Sequence, residues 1–429
     1  MRNIKEKRGI TLITLVVTIV VILILAGVTI NVTLGENGIL NKSKEAADRM
    51  NNLVKEDEAE LNELLDELNE TMDSNWNSNI EIPEENTTPE PDPEPEIPKI
   101  EDATDIQGET VQVEDEYGNK VTVPKGFGIV EEEGTTVPEG IVVQDKDGNQ
   151  FVWIPVGRVY KDNTRTNYSD IQLGRYSFDR TNGTPTVVQA AYTEENIYNY
   201  ERLEKINSYY QEYSVRDDPE GTSDSKGKNA IAKDLEGFVN SVKSNGGYYL
   251  ARYEASYGSG NNVSNYKPLS KVSTKVMSNS STPLTEGTLW CYIKQIDAAK
   301  IGRNMYNNDE SVGVESDLVN SYAWDTAIVF IQEMEVTNYA NKTSVNSNLI
   351  NTGKTGDKAC NIFDMASNLA EWTTENSTNK GDGTRYNCCT FRGDNYRYGQ
   401  SYTADRKSDN AGYCFSTDYT NFRIVAYIK

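Results

Sequence analysis

The longest apolar stretch of the chain lies near the N-terminus, where almost every residue from Ile10 to Ile30 is hydrophobic. A basic segment, MRNIKEKRG at residues 1–9, precedes it. In a helix, a stretch of this length spans about 30 Å, the thickness of the hydrocarbon core of a bilayer. The pattern therefore predicts a transmembrane helix over residues 10–32. The basic flank predicts that the residues after it lie outside the cell.

Two segments of different pattern follow the apolar stretch. Over residues 38–72, apolar residues recur mostly at steps of three and four between charged ones, which predicts an amphipathic stalk helix. Residues 73–105 include alternating prolines and acids, as in PEPDPEPEIP, and such a pattern forms neither a helix nor a sheet. This segment is therefore predicted to be an extended acidic linker, and a domain is predicted from residue 106.

Short β-prone runs fill much of residues 106–429. Two Gly-Asn dipeptides separate such runs, and this dipeptide is typical of tight hairpin turns. The sequence therefore predicts two β-hairpins, over Val113–Pro124 and Val143–Pro155. Residues 157–229 are polar, have little periodicity and are expected to form a long insertion.

Apolar residues at helical spacing mark three helices in the same domain. The first is predicted to end at Gly246, because glycine is the usual residue after a helix, and a strand is predicted over residues 248–255. The second helix is predicted around residues 298–305, and Ser321 is expected to cap the third. Few helices among many short strands predict the α+β fold class.

Composition excludes several classes of function. The chain has 66 acidic and 42 basic residues, a formal net charge of −24, and no basic stripe, so nucleic acid is not an expected partner. It contains no histidine, which excludes Ser-His-Asp and Cys-His catalysis and metal sites built on imidazole. The five cysteines form neither a disulfide framework nor a CxxC zinc site.

The junction between the basic segment and the apolar stretch resembles the leader of type IV prepilins and pseudopilins. The resemblance implies that the prepilin peptidase cuts after Gly9, that Ile10 becomes the new N-terminus, and that a pilus or secretion machinery is a partner. The family usually carries a Glu five residues into the mature chain, where this chain has Thr14. A plain, uncleaved membrane anchor is the alternative.

Five sequence blocks occur in a characteristic order in the domain: GGYYLARYEAS (246–256), SYAWDTAIVFI (321–331), NIFDMASNLAEWTTE (361–375), FRGDNY (391–396) and NFRIVAYIK (421–429). They look like the sulfatase-modifying-factor, or formylglycine-generating-enzyme-like, family. The resemblance covers residues 140–429. It implies a C-type-lectin-like fold.

The same resemblance bears on catalysis. Formylglycine generators bind copper through two cysteines shortly after the block that FRGDNY matches, and the corresponding positions here are Tyr398 and Thr403. Neither side chain supplies the thiolate that Cu(I) needs. The related sulfoxide-forming iron enzymes need histidines, so neither copper nor iron is expected, and oxidase chemistry by either of these two routes is not expected. An enzymatic alternative would use a non-standard site at Cys388 and Cys389.

A structural calcium ion is a further implication of the family. Its ligands would be the side chains of Asp364 and Glu371 and the carbonyl oxygens of Ser367 and Leu369, and such hard oxygens suit calcium. Ser367 stands where the family has glycine. The alternative is that the polar side chains of this segment satisfy the amides of the loop.

Residues 385–421 contain no Leu, Ile, Val, Met or Trp but six tyrosines. A segment so poor in aliphatic residues is expected to lie mostly on the surface, and its composition is typical of recognition surfaces. It resembles the variable region of diversity-generating-retroelement proteins. An ordinary loop-rich terminus with a fixed ligand, or none, is the alternative. The predicted ligand-binding residues are Tyr386, Tyr396, Arg397, Tyr398, Tyr402, Asp405, Arg406 and Tyr413.

Together these features predict a bacterial protein anchored in the cell membrane, with its C-terminal domain at the cell surface. The domain is predicted to be non-catalytic, of adhesin or receptor type, and to bind an extracellular protein or glycan. Two alternatives remain at this point: a formylglycine-generating-enzyme-family oxidoreductase with a non-standard site, and a minor pseudopilin with a structural role.

Overall fold

The computed structural model describes residues 97–190, 210–211, 230–379, 386–410 and 417–429, without the side chains of residues 189–190, 210–211, 376–379, 386–388 and 408–410. All of them belong to one compact unit, Pro93–Lys429. The predicted leader with Gly9 and Ile10, the predicted transmembrane and stalk helices, and the linker up to residue 96 lie outside the described residues.

The three predicted helices of the domain are confirmed. The helices of the described residues are α1, Leu235–Asn245; α2, Gln295–Arg303; α3, Ser321–Met334; and four short 3-10 helices, Ile100–Ala103, Glu131–Glu133, Val137–Glu139 and Tyr339–Asn341. Helix α1 ends at Asn245, and Gly246 follows it with a φ of 76°, which is accessible to glycine at little cost. The cap of α3 is Asn320, not Ser321, because the Asn320 side chain accepts a hydrogen bond from the Ala323 N–H at 2.9 Å.

The strands of the described residues are numbered in chain order: β1, Val111–Glu114; β2, Lys120–Val123; β3, Phe127–Ile129; β4, Val142–Asp145; β5, Gln150–Pro155; β6, Gly157–Tyr160; β7, Tyr168–Ile171; β8, Gly174–Phe178; β9, Pro185–Ala190; β10, Tyr210–Gln211; β11, Gly247–Ala251; β12, Ser256–Ser259; β13, Lys267–Leu269; β14, Lys275–Val276; β15, Thr288–Leu289; β16, Val314–Leu318; β17, Lys358–Ala359; β18, Ile362–Phe363; β19, Ala370–Asn379; β20, Tyr386–Arg392; β21, Arg406–Asn410; β22, Thr420–Phe422; and β23, Ile424–Ile428.

A six-stranded sheet carries the main core. Its order is β16-β23-β11-β5-β4-β3, and every neighbouring pair is antiparallel. Strands β5, β11 and β23 are buried along almost their whole length, which matches their nearly continuous apolar sequences. Helix α1 packs on β11 and β23. There the Phe238 ring lies edge-on to Tyr248 at 5.4 Å and to Tyr427 at 5.6 Å between ring centres.

A second sheet has five strands, four of which come from residues 370–422. Its order is β10-β19-β20-β21, and β22 pairs with β19 in parallel. Strand β19 pairs with β20, and β20 with β21, in antiparallel register. Because β22 leads directly into β23, this second sheet is tied to the main sheet by a short connection of the backbone.

Both predicted β-hairpins are confirmed, as β1–β2 and β4–β5. They share one side-chain arrangement before the Gly-Asn turn. Asp115 accepts hydrogen bonds from the backbone N–H groups of Tyr117 at 3.0 Å and Asn119 at 2.8 Å. Asp145 accepts the equivalent bond from Asn149 at 2.8 Å in the other hairpin. A buried aspartate that satisfies the amides of the turn therefore fixes each reversal of the chain.

Residues 157–190, expected to belong to a long polar insertion with little periodicity, form two antiparallel strand pairs, β6–β7 and β8–β9. Tyr160 and Tyr168 face each other across β6 and β7 with ring centres 6.4 Å apart. The Arg158 guanidinium lies 4.0 Å from the ring centre of Tyr168. Cross-strand aromatic and cation–π contacts of this kind stabilise strands that lack an alternating apolar pattern.

The predicted fold class is wrong in two respects. The described residues are mostly β-sheet with three α-helices, because polar segments such as 157–190 form strands. In addition, no helix of the described residues is long and apolar enough to cross a membrane. The longest, α3, has 14 residues and spans about 21 Å, against about 30 Å for a bilayer core.

This finding contradicts two predictions. They are the N-terminal transmembrane helix as part of the fold, and the location in the cell membrane with an extracellular domain. Residues 10–32 themselves lie outside the described residues.

Candidate ligand-binding site

A cleft of about 550 Å³ opens between strand β12, the loops after β12 and β14, and the first turns of α2. The aromatic side chains that line it are Tyr257, Tyr266, Trp290 and Tyr292. Sequence reasoning missed all four, because they come from separate segments of the chain. The segment GTLWCYIK at residues 287–294, which places Trp290 and Tyr292 two residues apart, was the available signal.

Three of these rings form a packed wall. The centres of Tyr257 and Tyr266 are 5.7 Å apart, those of Tyr257 and Trp290 5.7 Å, and those of Tyr266 and Trp290 5.8 Å. The rings meet edge-to-face or tilted, which is the favourable arrangement for aromatic pairs and contributes about 0.5–1.5 kcal/mol per pair beyond burial. Trp290 also packs against Phe422 of β22, at 5.6 Å. The wall is therefore held in place before any ligand arrives.

Tyr292 links the cleft to the C-terminal part of the chain. Its φ of 55° lies in the left-handed region, which costs a non-glycine residue about 1–2 kcal/mol. Its N–H donates a hydrogen bond to the carbonyl oxygen of Thr417 at 2.8 Å. A strained residue persists only where its surroundings hold it, so the bond to Thr417 fixes this edge of the cleft.

The structure brings three of the predicted residues together beside this edge. Nη1 of Arg397 lies 2.6 and 2.8 Å from the two carboxylate oxygens of Asp418, and the Tyr396 hydroxyl donates to Asp418 at 3.2 Å. Burial and the Asp418 charge raise the pKa of Tyr396 to about 12. Tyr398, which is 52% exposed, packs edge-on against Tyr419 at 5.3 Å. Arg397, Tyr398 and Asp418 therefore form a polar, aromatic rim.

The charged groups of the rim affect the pKa of a residue that lines the cleft. Burial raises the pKa of Tyr292, and the charge of Asp418 raises it further while Arg397 opposes the change. The geometry agrees, because the Tyr292 N–H bonds the carbonyl oxygen of Thr417, the residue before Asp418. We therefore treat the cleft and the rim as one candidate site.

The other predicted residues have different surroundings. Tyr402 and Asp405 both contact Arg180, whose guanidinium lies 5.0 Å from the centre of the Tyr402 ring and forms an ion pair with Asp405. Tyr386 begins strand β20, and its side chain is not among those described. Tyr413 lies outside the described residues.

Arg406, the last of the predicted residues, lies in a buried network of charged groups. Its guanidinium bonds Glu375 at 2.9 Å and pairs with Asp325 of α3. Arg392 of β20 bonds Asp325 at 2.5 Å, and Arg175 of β8 pairs with Glu375. Burial alone would raise the pKa of Glu375, but the charges of Arg406, Arg175 and Arg392 outweigh it and lower this pKa to about 2.

This network corrects the expectation that residues 385–421 lie mostly on the surface. Among residues 389–407, whose burial the structure describes, only 397–400 are exposed. The segment is buried without aliphatic side chains because its arginines are neutralised by carboxylates of α3 and β19. Burial of a charge is tolerated where it is paired and hydrogen-bonded.

The predicted calcium ligands Asp364 and Glu371 are both bonded to other groups of the protein. Asp364 accepts hydrogen bonds from the Thr352 hydroxyl at 2.8 Å and the Gly353 N–H at 2.6 Å. Arg423 donates to both oxygens of Glu371, at 2.9 Å from Nε and 2.6 Å from Nη2. A guanidinium on both oxygens places a positive charge where a cation would have to sit, so this donor set does not fit calcium as it stands.

The other two predicted calcium ligands lie in the loop before β19. The Ser367 hydroxyl accepts a hydrogen bond from the Val345 N–H at 3.1 Å, and the Leu369 N–H donates to Glu254 at 2.9 Å. Glu254, which sequence reasoning missed, also accepts from the Asn368 side chain at 2.6 Å. Burial and two neighbouring carboxylates raise the pKa of Glu254 well above its ordinary value. In the part of the chain that the structure describes, no group of three acidic or cysteine side chains is arranged to hold a metal ion.

The residues that the sequence linked to catalysis include Thr403, at a copper-ligand position of the family, and the pair Cys388 and Cys389. Thr403 donates its N–H to the Lys342 carbonyl at 3.0 Å, and its own carbonyl accepts from Trp324 at 3.2 Å. Cys389 is buried with its sulfur 3.8 Å from the Gln295 side-chain oxygen. The side chain of Cys388 is not among those described.

No family model and no curated protein matches this chain. Among solved structures it is similar to CarF, at 13% identity, over 43% of this chain and 87% of that one, with a TM-score of 0.29. It is also similar to PvdO from Pseudomonas aeruginosa, at 10% identity, over 43% of this chain and 82% of that one, with a TM-score of 0.28. At this level of similarity neither structure indicates what this protein does. Neither supports the predicted prepilin leader.

Calcium binding stays a prediction from the sequence, and chelation tests it. Because Arg423 occupies both oxygens of Glu371, we expect excess EGTA to leave the thermal midpoint of the full chain unchanged. A bound ion at one hundred times its Kd would stabilise the fold by about 2.7 kcal/mol, enough to shift the midpoint measurably by calorimetry. A midpoint that falls on chelation and is restored by calcium, but not by magnesium, would contradict this expectation.

The buried network predicts a specific pH dependence of stability. The pKa of Glu375 is about 2 in the folded chain against an ordinary value of 4.5, so its contribution is complete above pH 4.5 and is lost as the pH falls towards 2. We expect Glu375→Gln to lower the free energy of unfolding by about 3 kcal/mol above pH 5, measured with urea. The difference from the wild type should shrink to near zero at pH 2.

A matched control for this experiment is Glu333→Gln, which changes a half-exposed carboxylate of the same helix as Asp325. It should lower the free energy of unfolding by at most about 1 kcal/mol, because exposed ion pairs contribute little. A constant deficit for Glu375→Gln between pH 2 and 5 would show that the carboxylate charge does not stabilise the fold.

Proposed function

We propose that this domain is a non-catalytic ligand-binding module and that the aromatic cleft, with the rim of Arg397, Tyr398 and Asp418, is its binding site. The observation that carries the proposal is the strained Tyr292, which joins the aromatic wall to the segment that bears Asp418. A pre-formed wall and a fixed rim bind a ligand with little loss of conformational entropy.

The chemistry of the cleft supports binding. Tyrosine and tryptophan offer large contact areas with few rotatable bonds, and they are enriched at recognition sites. Arg397 and Asp418 satisfy each other, so the rim presents a polar surface that needs no large rearrangement before it contacts a ligand. The ligand that suits such a surface is a segment of another protein or a glycan.

The thiol in the cleft argues against nucleophilic catalysis there. Cys291 lines the cleft, and burial together with the charges of Asp418 and Glu254 raises its pKa to about 12. A reactive cysteine needs a lowered pKa, because the thiolate is the nucleophile. At neutral pH the Cys291 thiol is therefore protonated and acts as a small apolar group.

A screen of small fragments against the full chain tests the proposal. Ser281, an exposed residue on the edge of the cleft, donates its N–H to the Asn279 side chain. Thr181 occupies the equivalent place in a similar turn, donating to Asp179, and does not line the cleft. We expect ligand-observed NMR to find fragments that bind the wild type and Thr181→Trp but not Ser281→Trp, in which the indole blocks the cleft. If the three proteins bind the same fragments, or none, the proposal is contradicted.

A further inference from the structure

One carboxylate that lines the cleft has no hydrogen-bond or ion-pair partner among the residues that the structure describes. Asp297, in the first turn of α2, lines the cleft. Its side chain is only partly exposed, and no residue in the described ranges hydrogen-bonds or ion-pairs with it. The aromatic wall of Tyr257, Tyr266 and Trp290 lines the same cavity. An unpaired carboxylate near aromatic rings is a favourable environment for a positive charge.

Several charged groups lie around the Asp297 carboxylate and affect its pKa. The pKa of Asp297 is raised, because burial outweighs the charges of Lys294, the residue before α2, and of Lys300 within α2, which lower it. Lys294 also lines the cleft but is exposed, so water screens its charge more than that of the partly buried carboxylate. The N-terminus of α2 favours a negative charge at this position.

We propose that the cleft binds a basic side chain of a peptide, with Asp297 as the counter-ion and the aromatic wall against the methylene groups of that side chain. This proposal rests on the proposed function and names the class of its ligand. The chain carries a formal net charge of −24, which concentrates cationic ligands around it and speeds their association.

A titration with four small probes tests the charge requirement. The probes are N-acetyl-lysine methylamide, its arginine counterpart, the uncharged norleucine counterpart and N-acetylglucosamine. Binding to the full chain is measured by saturation-transfer NMR at low salt, as dissociation constants. We expect both basic probes to bind at least tenfold more tightly than norleucine and the sugar, because only they pair with Asp297.

Two variants separate a binding role of Asp297 from a structural one. Asp297→Asn removes the carboxylate, and Glu236→Gln removes an exposed one from the first turn of α1, with the same change of net charge. We expect Asp297→Asn to weaken the basic probes about tenfold and to leave norleucine unchanged, while Glu236→Gln changes neither. Equal weakening of all probes by Asp297→Asn would show that the carboxylate only supports the helix, and would overturn the proposal.

The remaining outcomes distinguish this proposal from the proposed function. If the sugar binds, the basic probes do not, and Ser281→Trp abolishes binding, then the cleft is a binding site but its ligand is not cationic. If no probe binds, and the fragment screen also finds no difference between wild type and Ser281→Trp, then both proposals fail together.

Discussion

The described domain depends on a cluster of buried charges that joins its elements where aliphatic side chains are missing. Asp325 of α3 and Glu375 of β19 are shared among Arg175, Arg392 and Arg406, which belong to β8, β20 and β21. Charges taken out of water are costly unless each one finds partners in good geometry. The pairs in this cluster form only when four strands and a helix take fixed positions, so the cluster specifies one arrangement of the second sheet. Removing one partner would leave its neighbours buried and uncompensated, at a cost of about 3–5 kcal/mol.

The site follows from this constraint. Arg392 and Arg406 hold strands β20 and β21 in place. Within the connection between these strands, residues 397–400 are exposed. The rim that it carries is fixed through Asp418, and the adjoining bond between Tyr292 and Thr417 ties it to the aromatic wall. Within the cleft, two features depart from the most stable local arrangement: the left-handed backbone of Tyr292, and the Asp297 carboxylate, which has no hydrogen-bond or ion-pair partner among the described residues. Departures of this kind concentrate at functional sites.

Local patterns in the sequence were sufficient for the helices and hairpins but not for the second sheet or the cleft. The Gly-Asn turns preceded by Asp115 and Asp145, and the glycine that ends α1, act within a few residues, so a single stretch of sequence reveals them. Arg406 was predicted to lie on a binding surface because its segment has few aliphatic residues. Composition does not show that Asp325, far away in the sequence, forms an ion pair with Arg406 and allows it to be buried. The cleft was missed for a similar reason, since its aromatic residues come together only in the folded chain.

Hydrogen–deuterium exchange of the full chain, compared between wild type and Asp325→Asn, tests most directly whether the buried charges hold the second sheet and hence the site. The account predicts that amides of β20 and β21 exchange faster in the variant, while those of β11 and β23, which are held by apolar packing, keep their protection. If β20 and β21 exchange as in the wild type, or if all four strands lose protection to the same extent, then the charge network does not have the role assigned to it.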